Sequence, residues 1–252
     1  MHNAAFAAAG LDAVYLPLPA TDAGDFMAFA RALDLRGASV TIPHKVALFD
    51  CADALDDAAR EAGAVNTLRV RDGRWEGRNT DLASFLHPLD DRRLDLREAR
   101  VSILGAGGSA RSVAIATRSR GATVTVHARD PQQAAKVAAL GAGHVGAWPP
   151  ASGSWDLLVN CTPIGMHPHV NESPVPAALL GGGLVYDLVY NPIETRLLRE
   201  AAQAGCETIG GLDMLVAQAR EQSQWWTGSL PAAEVMRRAA TRRLREFMSP
   251  WR

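Results

Sequence analysis

The sequence predicts an α/β protein built on parallel sheet, and two observations carry that prediction. Short β-type runs alternate with longer helical patterns almost to the end of the chain, the order that gives strand–helix–strand units. One of those runs, "RVSILGAGG", passes from strand into glycines and straight on into a helical segment. A chain of 252 residues has room for one large domain or two of ordinary size. With 48% apolar and 21% charged residues it can fill a core, which argues against disorder.

In the first block, "AVYLPLP" (13–19), "ASVTI" (38–42) and "AVNTLRV" (64–70) read as strands from their β-branched and apolar content. Between the first two, Phe26, Phe29, Ala30 and Leu33 in "DAGDFMAFARALDL" recur at helical spacing. Pro43 ends the second strand, and "RWEGRNTD" reads as a turn-rich loop closing the block. The charged "LDDRRLDLREA" then reads as a surface segment before a second block. There "RVSIL", "ATVTVHA", "WDLLVN" (155–160) and "GLVYDLVY" (183–190) read as strands. "SARSVAIATRSRG" is a helix stopped by Gly121. "RDPQQAAKVAALG" is another, with Asp130 at its N-cap, Pro131 at the first helical position and Gly141 past its end. From about Leu212 onward the pattern is helical, in "LDMLVAQAREQSQWW" and "AAEVMRRAATRRLREFM".

Charge and composition narrow the partner. A formal net charge of −1 supplies no basic field for nucleic acid and no polybasic membrane patch. The arginines of "RRAATRRLREF" interleave with apolar positions and read as a solvated helix face. No apolar run has the length of a membrane span, and the N-terminus lacks a signal-peptide pattern. Cys51, Cys161 and Cys206 are widely spaced, show no metal-ligand pattern, and suit a reducing cytoplasm. The expectation is a cytoplasmic protein with a small-molecule partner and no metal.

Gly105, Gly107 and Ala110 in "VSILGAGGSAR" fit G-x-G-x-x-G/A directly after a strand and directly before a helix. Gly105 permits the tight turn, Gly107 lets backbone approach a pyrophosphate, and Ala110 keeps helix and strand close. The helix N-terminus adds free N–H groups and a positive dipole end. The next strand ends in His127, Ala128 and Arg129, while Asp130 is already accounted for as a helix cap. A cation there suits the 2′-phosphate of NADP, where NAD would ask for an acidic residue. A plain βα turn and a solvated Arg129 are the bland alternatives.

Three segments of the first block each put a polar group just past a strand-like run: Thr41 and Lys45 in "SVTIPHK", Asn66 in "GAVNTL", and Thr80 with Asp81 in "GRNTD". Ligands gather at the carboxyl ends of strands in open α/β sheets, so these loops are candidates to converge. A lysine facing an aspartate makes a proton-transferring pair, and oxidising a secondary alcohol needs a base for its hydroxyl proton. Taken singly, Asn and Thr are ordinary turn formers and Lys45 is a loop lysine. Spacing leaves both readings open.

These segments, with "HNAAFAAAGLDAVYLPLP", "GAGGSAR", "VNCTPIGM", "DLVYNPIETRLL" and "GGLDMLVAQA", resemble the shikimate dehydrogenase family along almost the whole chain and in one order. The resemblance implies NADP-linked interconversion of 3-dehydroshikimate and shikimate, in aromatic amino-acid biosynthesis. It implies Lys45 as acid/base with Asp81 its partner, and Thr41, Asn66, Tyr190 and Gln218 as substrate contacts. Gly105, Ala106, Gly107, Gly108 and Ser109 would cradle the pyrophosphate and Arg129 the 2′-phosphate. Thr162, Met166, Leu188 and Gly211 would line the nicotinamide side. The implied layout is an α/β substrate domain (1–81 with 212–252) and a Rossmann-type NADP-binding domain (82–211), with C-terminal helices returning to the first, as a monomer or homodimer.

The chain departs from the family in two places. The cofactor loop usually reads Asn-Arg-Thr with a second basic residue four positions past the Arg. Here Ala128, Arg129, Asp130 and then Gln133 stand instead, so a relaxed preference that admits NAD is expected. Members also open with a strand and a Ser-x-Ser-Pro turn that holds the substrate carboxylate, whereas this chain starts inside the following helix. The expectation is that Met1 is an internal methionine and that the natural protein carries about 20 more residues. The competing readings are a paralogue oxidising quinate or an amino-substituted shikimate, and a truncated, non-catalytic NADP-binding protein. Retention of both Lys45 and Asp81 argues against the last.

Overall fold

The computed structural model describes residues 1–248. Its first part holds α1 (His2–Ala8), α2 (Ala23–Ala32), β1 (Gly37–Ser39), β2 (Ala54–Leu55), α3 (Asp57–Ala62), β3 (Thr67–Arg71) and β4 (Arg74–Arg78). The strands form a four-stranded sheet in the order β1-β3-β4-β2. Two of its three pairings are antiparallel, so the parallel pattern expected throughout does not extend to this sheet. The reason is the hairpin β3–β4, whose two-residue turn places Asp72 at φ 51° and Gly73 at φ 75°. Asp-Gly is the pair that a primed hairpin turn selects, so the "loop" read in "RWEGR" is a strand.

Residues 13–19 form no strand and pair with none. A strand needs a ladder, and β1, at the end of the sheet order, pairs only with β3 among the described residues. The Asn3 side chain serves instead: its amide donates to Tyr15 O (2.9 Å) and its oxygen accepts from Tyr15 N (2.6 Å). Val14, Leu16 and Leu18 are left exposed.

From β4 the chain turns at once into α4 (Asp81–Asp91), which the charged "LDD" had hidden, and crosses to the second sheet. That part runs β5 (Arg100–Leu104), α5 (Gly108–Ser119), β6 (Thr123–His127), α6 (Pro131–Leu140), β7 (His144–Val145), β8 (Leu157–Asn160), β9 (Leu184–Asp187), α7 (Arg196–Gln203) and β10 (Glu207–Gly210). Its six strands are all parallel, in the order β10-β9-β8-β5-β6-β7. The order reverses beside β5, so the glycine turn after β5 opens at the switch point where such sheets bind ligands. Val101, Ile103, Val126, Val159 and Tyr186 fill the core under α4, α5 and α6. Asp130 caps α6 by accepting from Gln132 N (2.9 Å), with Pro131 opening the helix, as expected.

Helix α8 (Gly211–Thr227) follows β10 without a loop and packs along α4. Helix α9 (Ala233–Met248) then closes against α1 and α8 around Ala5, Val216, Met236 and Leu244. Thus α4 and α8 are the two crossings between the sheets, and both begin at the cleft. No helix among the described residues is long and apolar enough to cross a membrane.

Candidate active site

The first sheet brings its polar loops to one corner through backbone pairing. Val40 N donates to Asn66 O (2.7 Å), Asn66 N to Arg78 O (3.0 Å) and Val65 N to Lys45 O (2.8 Å). Asn66 precedes β3 rather than following it. The antiparallel register brings it to the same edge as the ends of β1 and β4.

At this corner Lys45 Nζ donates to Asp81 Oδ2 at 2.5 Å, with Lys45 buried and Asp81 wholly so. Asp81 Oδ1 accepts from Asn66 Nδ2 at 2.8 Å and from the Gln218 amide on α8. Both carboxylate oxygens are therefore engaged, as a buried charge requires. Asn66 is itself saturated: its oxygen accepts from Thr67 Oγ1 (2.8 Å) and Thr80 N (2.9 Å). It lies behind Asp81 and does not line the cavity.

That cavity, about 480 Å³, lies between the sheets. Thr41, Lys45, Asp81, Tyr190 and Gln218 line it together with Ser109, Thr162, Met166, Leu188 and Gly211. The residues expected on the substrate side and those expected on the nicotinamide side thus share one space. Burial pushes the Tyr190 hydroxyl above its ordinary range. Gly211 lets α8 start this close: a Cβ there would stand 2.4 Å from Leu188 O.

The turn after β5 completes the cleft. Gly105 holds φ +104°, a value only glycine adopts readily, and its N–H donates to His127 O (2.8 Å). A Cβ on Gly107 would meet nothing within 4 Å, so the turn keeps open space in front of the first amides of α5. A pyrophosphate fits such a cradle. Arg129 stands exposed just past β6, apart from the cavity. Both ring nitrogens of His127 are already engaged. Its Nδ1 lies 2.7 Å from Ala147 O and its Nε2 3.1 Å from Ser102 Oγ, and burial holds it below the ordinary histidine range.

Under the nicotinamide side, Asp187 ends β9 wholly buried. It accepts from Thr195 Oγ1 (2.6 Å), Asn160 Nδ2 (2.9 Å) and Val189 N (3.0 Å). These donors are all neutral, and burial pushes its carboxyl up to about 6. It fixes the start of the segment that carries Leu188 and Tyr190.

Sequence reasoning missed three participants. Gln222, four residues after Gln218 on the same helix face, donates to Thr67 Oγ1 (2.9 Å) and accepts from Ser39 Oγ (2.8 Å). The i, i+4 spacing was its signal. Asn79, inside "GRNTD", accepts from Asp81 N (3.0 Å) and donates to Ala64 O (3.0 Å). Cys161 lines the cavity with a thiol that burial pushes well up, and is inert as a nucleophile. Among the described residues no group of three or more His, Cys, Asp or Glu is placed to hold a metal ion.

A glycine turn at the switch point of a parallel sheet, facing a buried lysine–carboxylate pair across a cleft, defines a dinucleotide-linked oxidoreductase. Two family models match: the "Shikimate dehydrogenase substrate binding domain" over residues 1–68 and the "Shikimate 5'-dehydrogenase C-terminal domain" over 211–241. The shikimate dehydrogenase (NADP(+)) of Moorella thermoacetica is 41% identical over 266 residues, covering 98% of this chain and 88% of the relative. That of Salinibacter ruber is 44% identical over 255 residues, covering 93% and 89%. The crystal structure of shikimate 5-dehydrogenase from Thermus thermophilus, in complex with NADP(H) and shikimate, superposes with a TM-score of 0.83 at 36% identity. The match covers 96% of this chain and 92% of that one. The chain belongs to the shikimate dehydrogenase family.

Proposed function

We propose that the chain catalyses the reversible NADP-dependent reduction of 3-dehydroshikimate to shikimate. The observation that carries this reading is the buried Lys45–Asp81 pair at 2.5 Å on the wall of a cavity shared with Ser109 and Gly211. Residues 1–81 with 212–252 act as the substrate unit and 82–211 as the NADP unit. When bound, NADP(H) supplies the hydride exchange; the protein's own side chains handle the proton and the orientation. In the reducing direction the Lys45 ammonium gives a proton to the substrate carbonyl oxygen, and in the oxidising direction its amine takes the hydroxyl proton. Asp81 holds that nitrogen in place, with Asn66 and Gln218 fixing the carboxylate from behind and from the side. Thr41, Tyr190 and the Gln218 amide contact the ring hydroxyls, while Asn66 acts through Asp81.

Gly105 to Ser109 receive the pyrophosphate, Arg129 the 2′-phosphate, and Thr162, Met166 and Leu188 flank the nicotinamide, with Gly211 giving it room. A single cation at the ribose supports NADP with some tolerance of NAD. Cytoplasmic residence belongs to the same proposal, supported by three unpaired thiols.

The test is ultraviolet monitoring of NADP+ reduction by the purified chain with shikimate, then quinate, then NAD+ in place of NADP+. Turnover with shikimate and NADP+ above the other combinations is expected. Faster turnover with quinate would move the assignment to the paralogue, and none with either polyol would refute the dehydrogenase reading.

A further inference from the structure

The helix that opens at the glycine turn reaches across the cleft, touches Lys45 directly and is linked to Asp81 through Asn79. Ser109 Oγ accepts from Lys45 Nζ at 3.3 Å. One residue earlier, a Cβ on Gly108 would stand 3.2 Å from both Cβ and Cδ of Lys45, so the lysine stem lies directly on the helix backbone. On the same helix, Ser112 Oγ donates to Asn79 Oδ1 at 3.2 Å. That oxygen also receives Asp81 N at 3.0 Å, and Asn79 Nδ2 is tied to Ala64 O at 3.0 Å. Asn79 is therefore a buried relay between α5 and the backbone from which Asp81 projects. Arg111 Nη1, donating to Ala62 O at 3.1 Å, fixes the helix against the end of α3.

We infer that the N-terminal half of α5 positions the Lys45–Asp81 pair, through Gly108 and Ser109 for Lys45 and through Ser112 and Asn79 for Asp81. The inference rests on the reading of Lys45 and Asp81 as the proton pair, and it gives adjacent glycines different work. Gly107 faces open space and serves the cofactor alone; Gly108, besides its backbone's place in the cradle, faces Lys45 and so also serves the chemistry. Ser112 is wholly buried and does not line the cavity, so it is a positioning residue. Small displacements of a reacting group are costly, which gives this placement kinetic weight.

The test compares Ser112→Ala, Gly108→Ala and Gly107→Ala in the full chain. Ser112→Ala is expected to lower kcat for shikimate oxidation about tenfold while KM for shikimate and for NADP+ stays within about twofold, and Gly108→Ala, whose backbone also belongs to the cradle, to lower kcat by a similar factor with KM for shikimate within about twofold. The deuterium isotope effect on kcat, read with shikimate deuterated at its carbinol carbon, should rise as proton and hydride transfer become limiting. Gly107→Ala should instead raise KM for NADP+. A second readout needs no turnover. In the ligand-free protein, acetic anhydride should acetylate Lys45 several-fold faster in Ser112→Ala and Gly108→Ala, read by peptide mass spectrometry. Wild-type kcat and wild-type Lys45 labelling in both variants would overturn the inference. A silent parent enzyme would overturn the dehydrogenase reading instead, and the labelling comparison would still decide the positioning role.

Discussion

Asp81, which opens α4 just past β4, and Asp187, which ends β9, are both wholly buried, yet they are satisfied in different ways. Asp81 has a cation at 2.5 Å and two amide donors. Asp187 has a hydroxyl, a side-chain amide and a backbone N–H, and no cation among those donors. A carboxylate held by neutral donors keeps its burial cost, and its affinity for a proton rises. One paired with a lysine forms a unit through which a proton can pass. The partner, more than burial, therefore separates the carboxylate that works from the one that anchors. A similar contrast runs through the two halves generally. The cofactor half presents backbone, at Gly105, Gly107 and the start of α5, over an apolar core. The substrate half presents a web of buried polar side chains, from Asn66 and Asn79 to Gln218 and Gln222.

Three substitutions probe that contrast. The largest effect is expected from Asp81→Ala, which strands a buried lysine and the donors of Asn66 and Gln218. Loss of one partner of a buried pair costs about 3–5 kcal/mol of stability, and turnover should fall about 10²-fold or more. Denaturant unfolding beside steady-state kinetics checks both, and a variant as stable as its parent would show that the pair is not energetically coupled.

Asp187→Asn should act with the opposite sign. The folded carboxyl titrates near 6, above its ordinary value of 3.8, so the folded state binds that proton more tightly than the unfolded chain. Its contribution is fully present below the unfolded value and is lost as pH rises through about 6. The variant should therefore gain on its parent between about pH 4 and pH 6, by no more than about 3 kcal/mol. Thermal unfolding of both proteins across that range reads the difference, and parallel curves would place the shift elsewhere.

The smallest effect is expected where the halves meet. Gly211→Ala puts a methyl 2.4 Å from Leu188 O and 2.7 Å from Val189 O, and α8 must move to admit it. A cost of about 2 kcal/mol follows from overpacking of this kind. An unchanged melting temperature would mean that α8 starts more loosely than its contacts imply.

The cofactor half was legible because its strands are parallel and largely buried, so each reads as a short run rich in Val, Leu and Ile, and β5, β6 and β9 each lead on to a helix. "RVSIL", "TVTVH" and "DLLVN" needed no tertiary information. The substrate half resisted the same reading. Two of its three strand pairings are antiparallel, and "RWEGR" owes its place to a hairpin with an Asp-Gly turn. "AVYLPLP" has strand composition and no strand partner, so composition misled there. At the site, Lys45 and Asp81 are 36 residues apart, and nothing local pairs them. The family resemblance joined them, and the register of β1, β3 and β4 supplies the physical cause. Asn79 and Gln222 hold other residues, and their signals are faint: a place inside "GRNTD" for the first and an i, i+4 spacing from Gln218 for the second.

Everything proposed for the chemistry turns on Lys45 moving the proton. Lys45→Ala, assayed for shikimate oxidation with NADP+ and titrated separately for NADP+ binding, addresses this without intermediaries. Turnover should fall about 10²-fold or more while the NADP+ dissociation constant stays within about twofold, because Lys45 belongs to the substrate half and reaches the start of α5 through its contacts with Gly108 and Ser109. Turnover equal to that of the parent would remove Lys45 from the mechanism.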